Sequence, residues 1–399
     1  MRIGKPRICA EADGGLSYRA EIESEDGRRD LWFRVEAGFG DLVTDSCDAP
    51  LVGLLIPAMA NGEDIHISGA ISERLYYNLS APCQSIFRHV IPSLRQISIR
   101  PSELLSERKP APGVAAGFTG GIDSFCVLAD HHYSADCPDG FRPTHLVFNN
   151  VGSHGHGAEG AALFEERYAR LAPIAERNGL PLVKVDSNLD SFYREGLDFL
   201  QTHTPRLLSA ALLLQRGIGR YLSASTFNYS DVYVGPALGM GFTEPITLPL
   251  LSTEVIDLLS IGHIYTRPEK TVKVAEIPDS YEVLDVCVRS GSRNCSQCKE
   301  CLRTLITLDI AGLLDRYADR FYLDHYLANR NKMLARFLQK RRGRGRLRRE
   351  MLEFAKQSNW KMPLSARLNA YRYRTEKAVR NKLHRVKKLV VSRQEENRK

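Results

Sequence analysis

The 399-residue sequence has no long apolar run and no internal repeat, and we expect no secretory leader. No stretch approaches the roughly 20 consecutive apolar residues that a membrane-spanning helix needs, and the first ten residues lack the apolar core of a signal peptide. No period typical of a solenoid or propeller repeat is found either. We therefore predict a cytoplasmic protein without a membrane span, and its length predicts two or three domains.

Cysteine occurs nine times, but its distribution does not suit disulfide bonds. Five cysteines are scattered, and a disulfide framework is not expected in a long chain without an export signal. The other four are Cys287, Cys295, Cys298 and Cys301, which include two C-x-x-C steps. This spacing predicts tetrahedral Zn²⁺ in a structural role, because four thiolates leave no open coordination position. Free buried thiols and an iron–sulfur cluster are the alternatives.

Positive charge is concentrated at one end of the chain. Residues 331–399 contain 23 Lys and Arg against 5 Asp and Glu, whereas the rest of the chain contains 32 basic and 42 acidic residues. In the densest run, 340–349, seven of ten residues are basic. Such a run cannot enter a core, because desolvating so many like charges is prohibitive. We expect residues 340–399 to be a solvated helical face or to bind a protein or nucleic-acid partner.

Composition and periodicity divide the chain into three predicted segments. Residues 1–110 suggest a small α+β domain of unknown role, 111–315 an α/β domain, and 316–399 a basic helical region. In the middle segment, strands alternate with helices of about 10–15 residues, which indicates a parallel sheet covered on both faces. Its predicted strands are 114–118, 145–148, 182–186 and 221–225, and its predicted helices are 122–131, 163–178 and 207–219; in the first segment, strands are predicted at 16–22, 30–35, 64–67 and 95–99, and a helix at 71–79.

A glycine-rich turn, GFTGGIDS at 117–124, follows the first strand of the middle segment and opens a helix. That arrangement gathers unpaired N–H groups at the positive end of a helix, and so predicts an anion site. Gly120 and Gly121 permit close backbone approach, and Thr119 and Ser124 supply hydroxyl donors. A bare phosphate would repel Asp123, so its expected partner is Mg²⁺. The alternative is a tight turn whose glycines serve packing alone.

The same turn does not match the Walker A pattern, because no Gly-Lys-Ser/Thr follows it, nor the dinucleotide G-x-G-x-x-G pattern. It resembles the SGGxDS signature of the PP-loop ATP pyrophosphatases, with Thr119 in place of the first serine. Together with the downstream cysteines, residues 113–309 resemble the QueC-like (7-cyano-7-deazaguanine synthase-like) branch of that superfamily, which ends in a similar four-cysteine zinc motif. The resemblance covers about half of the chain and implies an adenine nucleotide alpha hydrolase-like fold.

Enzymes of that branch use ATP to adenylate the carboxylate of 7-carboxy-7-deazaguanine; ammonia then displaces AMP, and a second activation gives a nitrile. The resemblance implies ATP, Mg²⁺ and Zn²⁺ as cofactors and an amide- or nitrile-forming ligase. For Arg206 the alternative is a surface residue at a helix start, and for Lys270 a solvated charge. The resemblance implies Phe118, Thr119, Gly120, Gly121, Asp123, Ser124 and Asn149 as ATP-binding residues, and Asp123, Ser124, Arg206 and Lys270 as catalytic residues.

Other functions of the superfamily stay open. QueC-like relatives with extra regions occur in anti-phage operons, where the implied chemistry joins a deazaguanine to an amine of a partner protein. A tRNA-modifying PP-loop enzyme is an alternative, because Trp360, Tyr371 and Tyr373 lie among the basic residues and could stack on bases. A PP-loop amidotransferase of polysaccharide biosynthesis is another. A non-catalytic nucleotide-binding module is disfavoured by the intact Asp123 and Ser124.

Two glycine-rich loops are further candidates. The loop 152–157 carries His154 and His156, and we predict a mobile rim, with substrate or metal binding as the alternative. The loop 235–242, GPALGMGF, is predicted either to line the substrate pocket or to be a plain connection.

Overall fold

The computed structural model describes residues 1–106, 109–155, 157–193, 196–288, 292–338, 346–372 and 375. The chain forms two compact units: the first comprises Met1–Thr266 and Ile277–Leu284, and the second comprises Arg267–Glu276 and Asp285–Lys399. Among the described residues, no helix is both long enough and apolar enough to cross a membrane. The three segments predicted from the sequence divide the chain elsewhere and stay a prediction of domain organisation.

The described part of the first unit is built on one 11-stranded sheet covered by helices. Its strands are β1 (Arg2–Ile3), β2 (Arg7–Ala10), β3 (Leu16–Ser24), β4 (Gly27–Val35), β5 (Ile65–Ser72), β6 (Ile99–Leu105), β7 (Gly113–Gly117), β8 (His145–Asn149), β9 (Leu182–Ser187), β10 (Ile218–Ala224) and β11 (Asp257–Ile261). Among the described residues, the helices named below are α1 (Asp48–Asn61), α2 (Glu73–Ser80), α3 (Pro82–Val90), α4 (Ile122–His131), α5 (Gly157–Arg177), α6 (Phe199–Leu213), α7 (Glu244–Leu250), α8 (Arg267–Val274), α9 (Asp279–Val283), α10 (Lys299–Ala311), α11 (Leu323–Leu338) and α12 (Arg346–Gln357).

One half of the sheet is entirely parallel, in the order β9–β8–β7–β10–β11. The chain starts at β7, adds β8 and β9 on one side, and then returns to add β10 and β11 on the other. The strand order therefore reverses between β7 and β10, which is where α/β sheets bind ligands at the carboxyl ends of their strands. The prediction of an α/β domain with a parallel sheet is confirmed.

The other half of the sheet comes from residues 1–105, and the sequence did not indicate how it joins the first. Strand β4 pairs antiparallel with β9, with Phe33 opposite Ser187 and Val35 opposite Val185. Strands β3, β1, β5 and β6 continue from there. The two segments thus share one sheet. The strand predicted at 95–99 is wrong in position, because β6 begins at Ile99.

Helix α1 packs against α6 and is buried at every residue from Asp48 to Met59. Its only acidic residue, Asp48, is satisfied by three donors: the Ser46 hydroxyl at 2.8 Å, the Gln215 amide at 2.7 Å and the Ser72 N–H at 2.8 Å. Buried polar groups are tolerated when they are paired in this way. A helix that is apolar on all sides has no amphipathic period, which is why the sequence analysis missed α1.

The described part of the second unit is helical, as predicted for the C-terminal region. Asp309 of α10 accepts from Arg330 at 2.6 and 3.0 Å and from the Tyr326 hydroxyl at 2.8 Å, which ties α11 to α10. In α12, Glu350 accepts from the N–H of Arg267 at 2.9 Å, and Met351 is buried. Much of the basic tail, namely residues 339–345, 373–374 and 376–399, lies outside the described residues.

Candidate nucleotide loop and metal centre

The predicted phosphate loop lies between β7 and α4, at the point where the strand order reverses. Its first residue, Phe118, is fully buried, and its N–H donates to the carbonyl of Val147 on β8 at 2.9 Å. The Phe118 ring meets that of Phe125 edge to face, with centroids 5.1 Å apart. The sheet and α4 thus fix the start of the loop before any ligand arrives.

The two glycines of the loop have different roles. Gly120 has φ of +71°, and a Cβ there would lie 2.8 Å from Leu171 Cδ2, so both conformation and space require glycine. Gly121 is extended and precedes α4, where no side chain caps the helix. The first-turn N–H groups of α4 are therefore not taken by a capping side chain, which suits an anion ligand.

Ser124 and Thr119 bring their hydroxyls together in the loop. The Ser124 hydroxyl donates to the carbonyl of Gly121 at 3.0 Å and accepts from the N–H of Thr119 at 3.3 Å. Thr119 is exposed, with its Oγ1 atom 3.5 Å from Ser124 Oγ, and Asp123 is half-buried in the first turn of α4. The structure therefore gathers two hydroxyls, a carboxylate and a helix start within one turn, as the sequence predicted.

Asn149 ends β8, one strand away from β7 on the same edge of the sheet, and is buried. The next residue, Asn150, donates its side-chain amide to Asp186 at 2.8 Å, and its N–H to the carbonyl of Val185 at 2.8 Å. These bonds hold the end of β8 against β9. The part of Asn149 in ATP binding stays a prediction.

Arg206 is neither a surface residue nor free to move. It is buried on α6, where it pairs with Asp190 at 2.5 Å, donates to Thr202 Oγ1 at 3.0 Å, and lies 3.4 Å above the ring of Tyr193. A third bond, 3.4 Å long, reaches the carbonyl of Val151 just after β8. The surface alternative is wrong, and Arg206 holds the loops after β8 and β9 together. Phosphate contact by Arg206 stays a prediction.

His154 is buried, so the prediction of a mobile rim is wrong for this residue. Its ring packs against Phe148 and Phe164, with centroids 5.2 and 5.1 Å apart. Burial, with a smaller contribution from the charge of Arg167, lowers the pKa of His154 to about 4, so the ring is neutral at pH 7. His154 therefore serves packing beneath the loop, and His156 lies outside the described residues.

Lys270 belongs to the second unit, in α8, and only 1 % of its surface is exposed. The alternative of a solvated charge is therefore wrong. A buried lysine needs partners, because an unpaired ammonium is costly to desolvate. Its catalytic role stays a prediction.

The four predicted cysteines come together in the second unit, with all four sulfurs within 4.8 Å of one another. Two sulfur pairs are close: Cys287 and Cys298 at 4.0 Å, and Cys295 and Cys301 at 3.8 Å. These distances are far too long for disulfides, whose sulfurs are about 2.05 Å apart. They fit a tetrahedral metal site, since Zn–S bonds of about 2.3 Å place the sulfurs about 3.8 Å apart.

Backbone N–H groups already point at the sulfurs. Cys295 Sγ accepts from the N–H of Cys298 at 3.3 Å, and Cys298 Sγ caps α10 by accepting from the N–H of Cys301 at 3.4 Å. Burial opposes ionisation of the Cys295 thiol, but the N–H groups of Gln297 and Cys298 outweigh it, and its pKa falls to about 7. Burial raises the pKa of Cys301 well above its ordinary value. Cys295 therefore ionises more readily than Cys301.

The turn that carries Cys295 is fixed by hydrogen bonds of the two neighbouring residues, Asn294 and Ser296. Ser296 adopts a left-handed conformation with φ of +57°, and its hydroxyl accepts from the N–H of Tyr322 at 2.8 Å. Asn294 donates its backbone N–H and its side-chain amide to the carbonyl of Arg320 at 2.9 and 3.2 Å, and its amide oxygen accepts from the N–H of Val286 at 2.9 Å. The cluster can hold a metal such as zinc on a preformed frame.

Sequence reasoning missed other polar groups at the carboxyl edge of the sheet. Asp190 and Tyr193, which hold Arg206, and the pair His203 and Glu244 were not singled out. No local pattern marks them, because each contact joins residues far apart along the chain.

Comparisons with protein-family profiles, curated proteins and solved structures found no match. The geometry and chemistry of these sites therefore carry the evidence for function.

Proposed function

We propose that the protein is a cytoplasmic PP-loop ATP pyrophosphatase that adenylates a carboxylate and couples it to ammonia or an amine. The observation that carries this proposal is the loop 119–124, which leaves the central strand β7 at the reversal of strand order and opens the uncapped helix α4. Its sequence resembles the PP-loop signature, and its position is the one at which open α/β sheets bind ligands.

The loop offers a triphosphate mainly backbone and hydroxyl donors. Gly120 and Gly121 allow phosphate oxygens to approach the backbone, and the first-turn N–H groups of α4 add the positive end of a helix. Thr119 is exposed and can donate its hydroxyl directly, whereas buried Ser124 also shapes the turn. Mg²⁺ would be held by Asp123 together with phosphate oxygens, where it would offset negative charge.

The chemistry needs positioning more than a nucleophile on the protein. A carboxylate oxygen of the substrate attacks the α-phosphorus of ATP, and the bond to the β-phosphate bridge breaks, which releases pyrophosphate. Ammonia or an amine then attacks the acyl carbon, loses a proton and expels AMP. The donors of the loop stabilise charge that grows on the phosphate oxygens, which is the usual largest contribution in such transfers.

The substrate class follows from the resemblance to QueC-like enzymes: a 7-deazaguanine-type or related acid, with a partner amine as in anti-phage operons as one form of the acceptor. For the second unit we propose Zn²⁺ at the four cysteines, supported by the all-thiol donor set and the sulfur spacing. Zinc there would stabilise the fold and take no part in the reaction.

Product analysis tests the proposal directly. Purified protein is incubated with Mg-ATP, ammonium and a panel of acids that includes 7-carboxy-7-deazaguanine, and the nucleotide products are separated. AMP and pyrophosphate, formed only when an acid is present, are expected. ADP and phosphate would reject the class, and AMP formation that requires tRNA in place of an acid would favour the tRNA-modifying alternative.

A further inference from the structure

Two arginines and a histidine lie side by side on the exposed face of the N-terminal half of the sheet. In the register of the strands, Arg2 of β1 is opposite His66 of β5, and His66 is opposite Arg100 of β6. Residues in register on neighbouring strands project from the same face, and the strands are about 4.8 Å apart. The Cα atoms of Arg2 and Arg100 are therefore roughly 10 Å apart, with His66 between them. All three residues are exposed.

This row of residues lacks the charge pairing found elsewhere on the sheet. Glu23 of β3 is next to Arg2 in register, but its carboxylate pairs with Arg28 at 3.6 Å. No described carboxylate pairs with Arg2, whose Nε donates to the Ser68 hydroxyl at 3.4 Å. Arg100 has only a long contact with Asp64, at 3.9 Å. Neighbouring positive charges destabilise a sheet, so an anion over the row would offset a cost that the fold leaves in place.

An open cavity of about 1040 Å³ lies over the row, and Arg2, His66 and Arg100 all line it. This volume is comparable with the roughly 300–1,000 Å³ of small-molecule sites. Ser68 and Ser102 also line the cavity, because each is two residues beyond the row on its strand and so projects from the same face. The cavity thus offers two guanidinium groups, an imidazole and two hydroxyls, which are donors suited to a phosphate group.

Carboxylates at the margin of the cavity limit the kind of anion that fits. Glu63 is 8 % exposed, and its carboxylate accepts from the Asn61 amide at 2.7 Å and from the N–H of Glu25 at 3.4 Å, so it is already bonded. Glu23, Glu25 and Asp64 are less buried and would repel a long polyanion that crossed the face. The described lining contains no Phe, Tyr or Trp on which bases could stack. These features favour a compact phosphate over a nucleic-acid backbone.

The cavity is distinct from the predicted phosphate loop at 118–124. In the order of the sheet, β1 is five strands away from β7, which the loop follows. Five strand spacings correspond to about 24 Å. An anion in the cavity therefore makes no contact with a nucleotide bound at the loop.

We propose that Arg2, His66 and Arg100 form a binding site for the phosphate group of a small molecule. The planar guanidinium groups of Arg2 and Arg100 each donate two N–H groups to phosphate oxygens, and His66 donates a ring N–H between them. The hydroxyls of Ser68 and Ser102 complete the set of donors. The inference does not depend on the proposed function, and it gives residues 1–105 a ligand of their own.

Titration with inorganic phosphate, followed through the histidine side chains by NMR, tests this site. The protein has eleven histidines, and the signal of His66 is the one that disappears in His66→Gln. At constant pH and ionic strength, phosphate should shift this signal in a saturable way. Arg2→Gln and Arg100→Gln should each weaken binding by about tenfold or more, the worth of a hydrogen bond to a charged group. Arg88→Gln, at an exposed position on α3, is the matched control and should stay within about twofold.

Three results would overturn the inference. The first is a wild-type His66 signal that does not move, or moves without saturating. The second is unchanged phosphate affinity in Arg2→Gln and Arg100→Gln, which should both fold because these side chains are exposed. The third is single-stranded RNA that shifts the signal at a lower phosphate concentration than inorganic phosphate does, which would show a nucleic-acid surface. Because the reporter lies in the row itself, phosphate bound at the loop 118–124 does not produce the signal, and the proposed ATP chemistry can fail separately.

Discussion

The predicted phosphate loop (residues 118–124) and the cysteine cluster are both turns that open a helix, yet they are held in place in opposite ways. Before α4 no side chain caps the helix, and the turn is fixed by buried neighbours such as Phe118. Before α10 the sulfur of Cys298 itself caps the helix, Cys295 also accepts from a local N–H group, and the four sulfurs contact each other in two pairs. The loop is held by the sheet, so a mutation in it should reduce activity. The cluster is held by its own thiols, so a mutation there should reduce stability.

The largest expected effect is on the cysteine cluster. Cys298→Ser removes one of four thiolates and the sulfur that caps α10, so the second unit should lose its metal and much of its stability. Metal binding contributes of order 10 kcal/mol in small zinc modules. Elemental analysis should find about one zinc per chain in wild-type protein and none in the variant, together with a large drop in the thermal midpoint.

Cys9→Ser is the matched control for that variant, because Cys9 is exposed and lies outside the cluster. It should keep zinc and stability. Iron with visible absorption in wild-type protein, or a metal-free Cys298→Ser protein with wild-type stability, would contradict a structural zinc site.

The next effect tests the other side of the comparison. Asp123→Ala should reduce AMP formation by at least about 100-fold, since the charge that Mg²⁺ needs is lost where phosphate charge develops. The thermal midpoint should change little, because α4 and β7 keep their buried contacts. Asp139→Ala, at a fully exposed position, is the control and should retain activity. Unfolding of Asp123→Ala, or its full activity, would show that the loop is a structural turn only.

The sequence predicted both of these sites because each is local. The helix predicted at 122–131 has the same bounds in the structure, and the four cysteines within 287–301 meet as their spacing indicated. Short-range patterns determine such turns, since glycine conformation, helix starts and C-x-x-C steps act over a few residues.

What the sequence could not predict depends on distant partners. The antiparallel pairing of β4 with β9 joins Phe33 to Ser187, and no pattern in either strand specifies the other. Arg206 and Lys270 are buried because of tertiary packing, which the identity of a single charged residue in the sequence does not reveal. Strand β11 and helix α1 were missed because short or uniformly apolar runs lack a diagnostic period.

The stability of the sheet region should also depend on pH, because this region contains the buried His154. Because the pKa of His154 is lowered to about 4 in the fold, against an ordinary value of about 6.5, the unfolded chain binds the proton more readily between these values. The contribution of neutral His154 to the free energy of unfolding is therefore complete above pH 6.5. It is lost as the pH falls toward 4, and the loss amounts to about 3 kcal/mol. Denaturant midpoints for His154→Phe should fall less over this range than those of wild type. His89→Phe, at an exposed position on α3, should keep the wild-type slope, and an unchanged slope in His154→Phe would refute the assignment.

The smallest effect is expected from removing the basic end of the chain at residue 375. Residues 376–399 contain nine Lys and Arg against three Glu, and they lie outside the described residues. A cut at 340 would be a poor test, because it would also remove Met351, which is buried in α12, and Glu350, which bonds the N–H of Arg267. With the shorter deletion, AMP formation from ATP and a small acid should stay within about twofold, and the thermal midpoint should not change. If the natural partner is a polyanion, the deletion should weaken that complex and flatten its salt dependence, since fewer counterions are released. A drop of more than tenfold in AMP formation with the small acid would instead mean that these basic residues take part in the fold or the reaction. The comparison of a loop held by the sheet with a cluster held by its own thiols would then have to include a third element, the basic end of the chain.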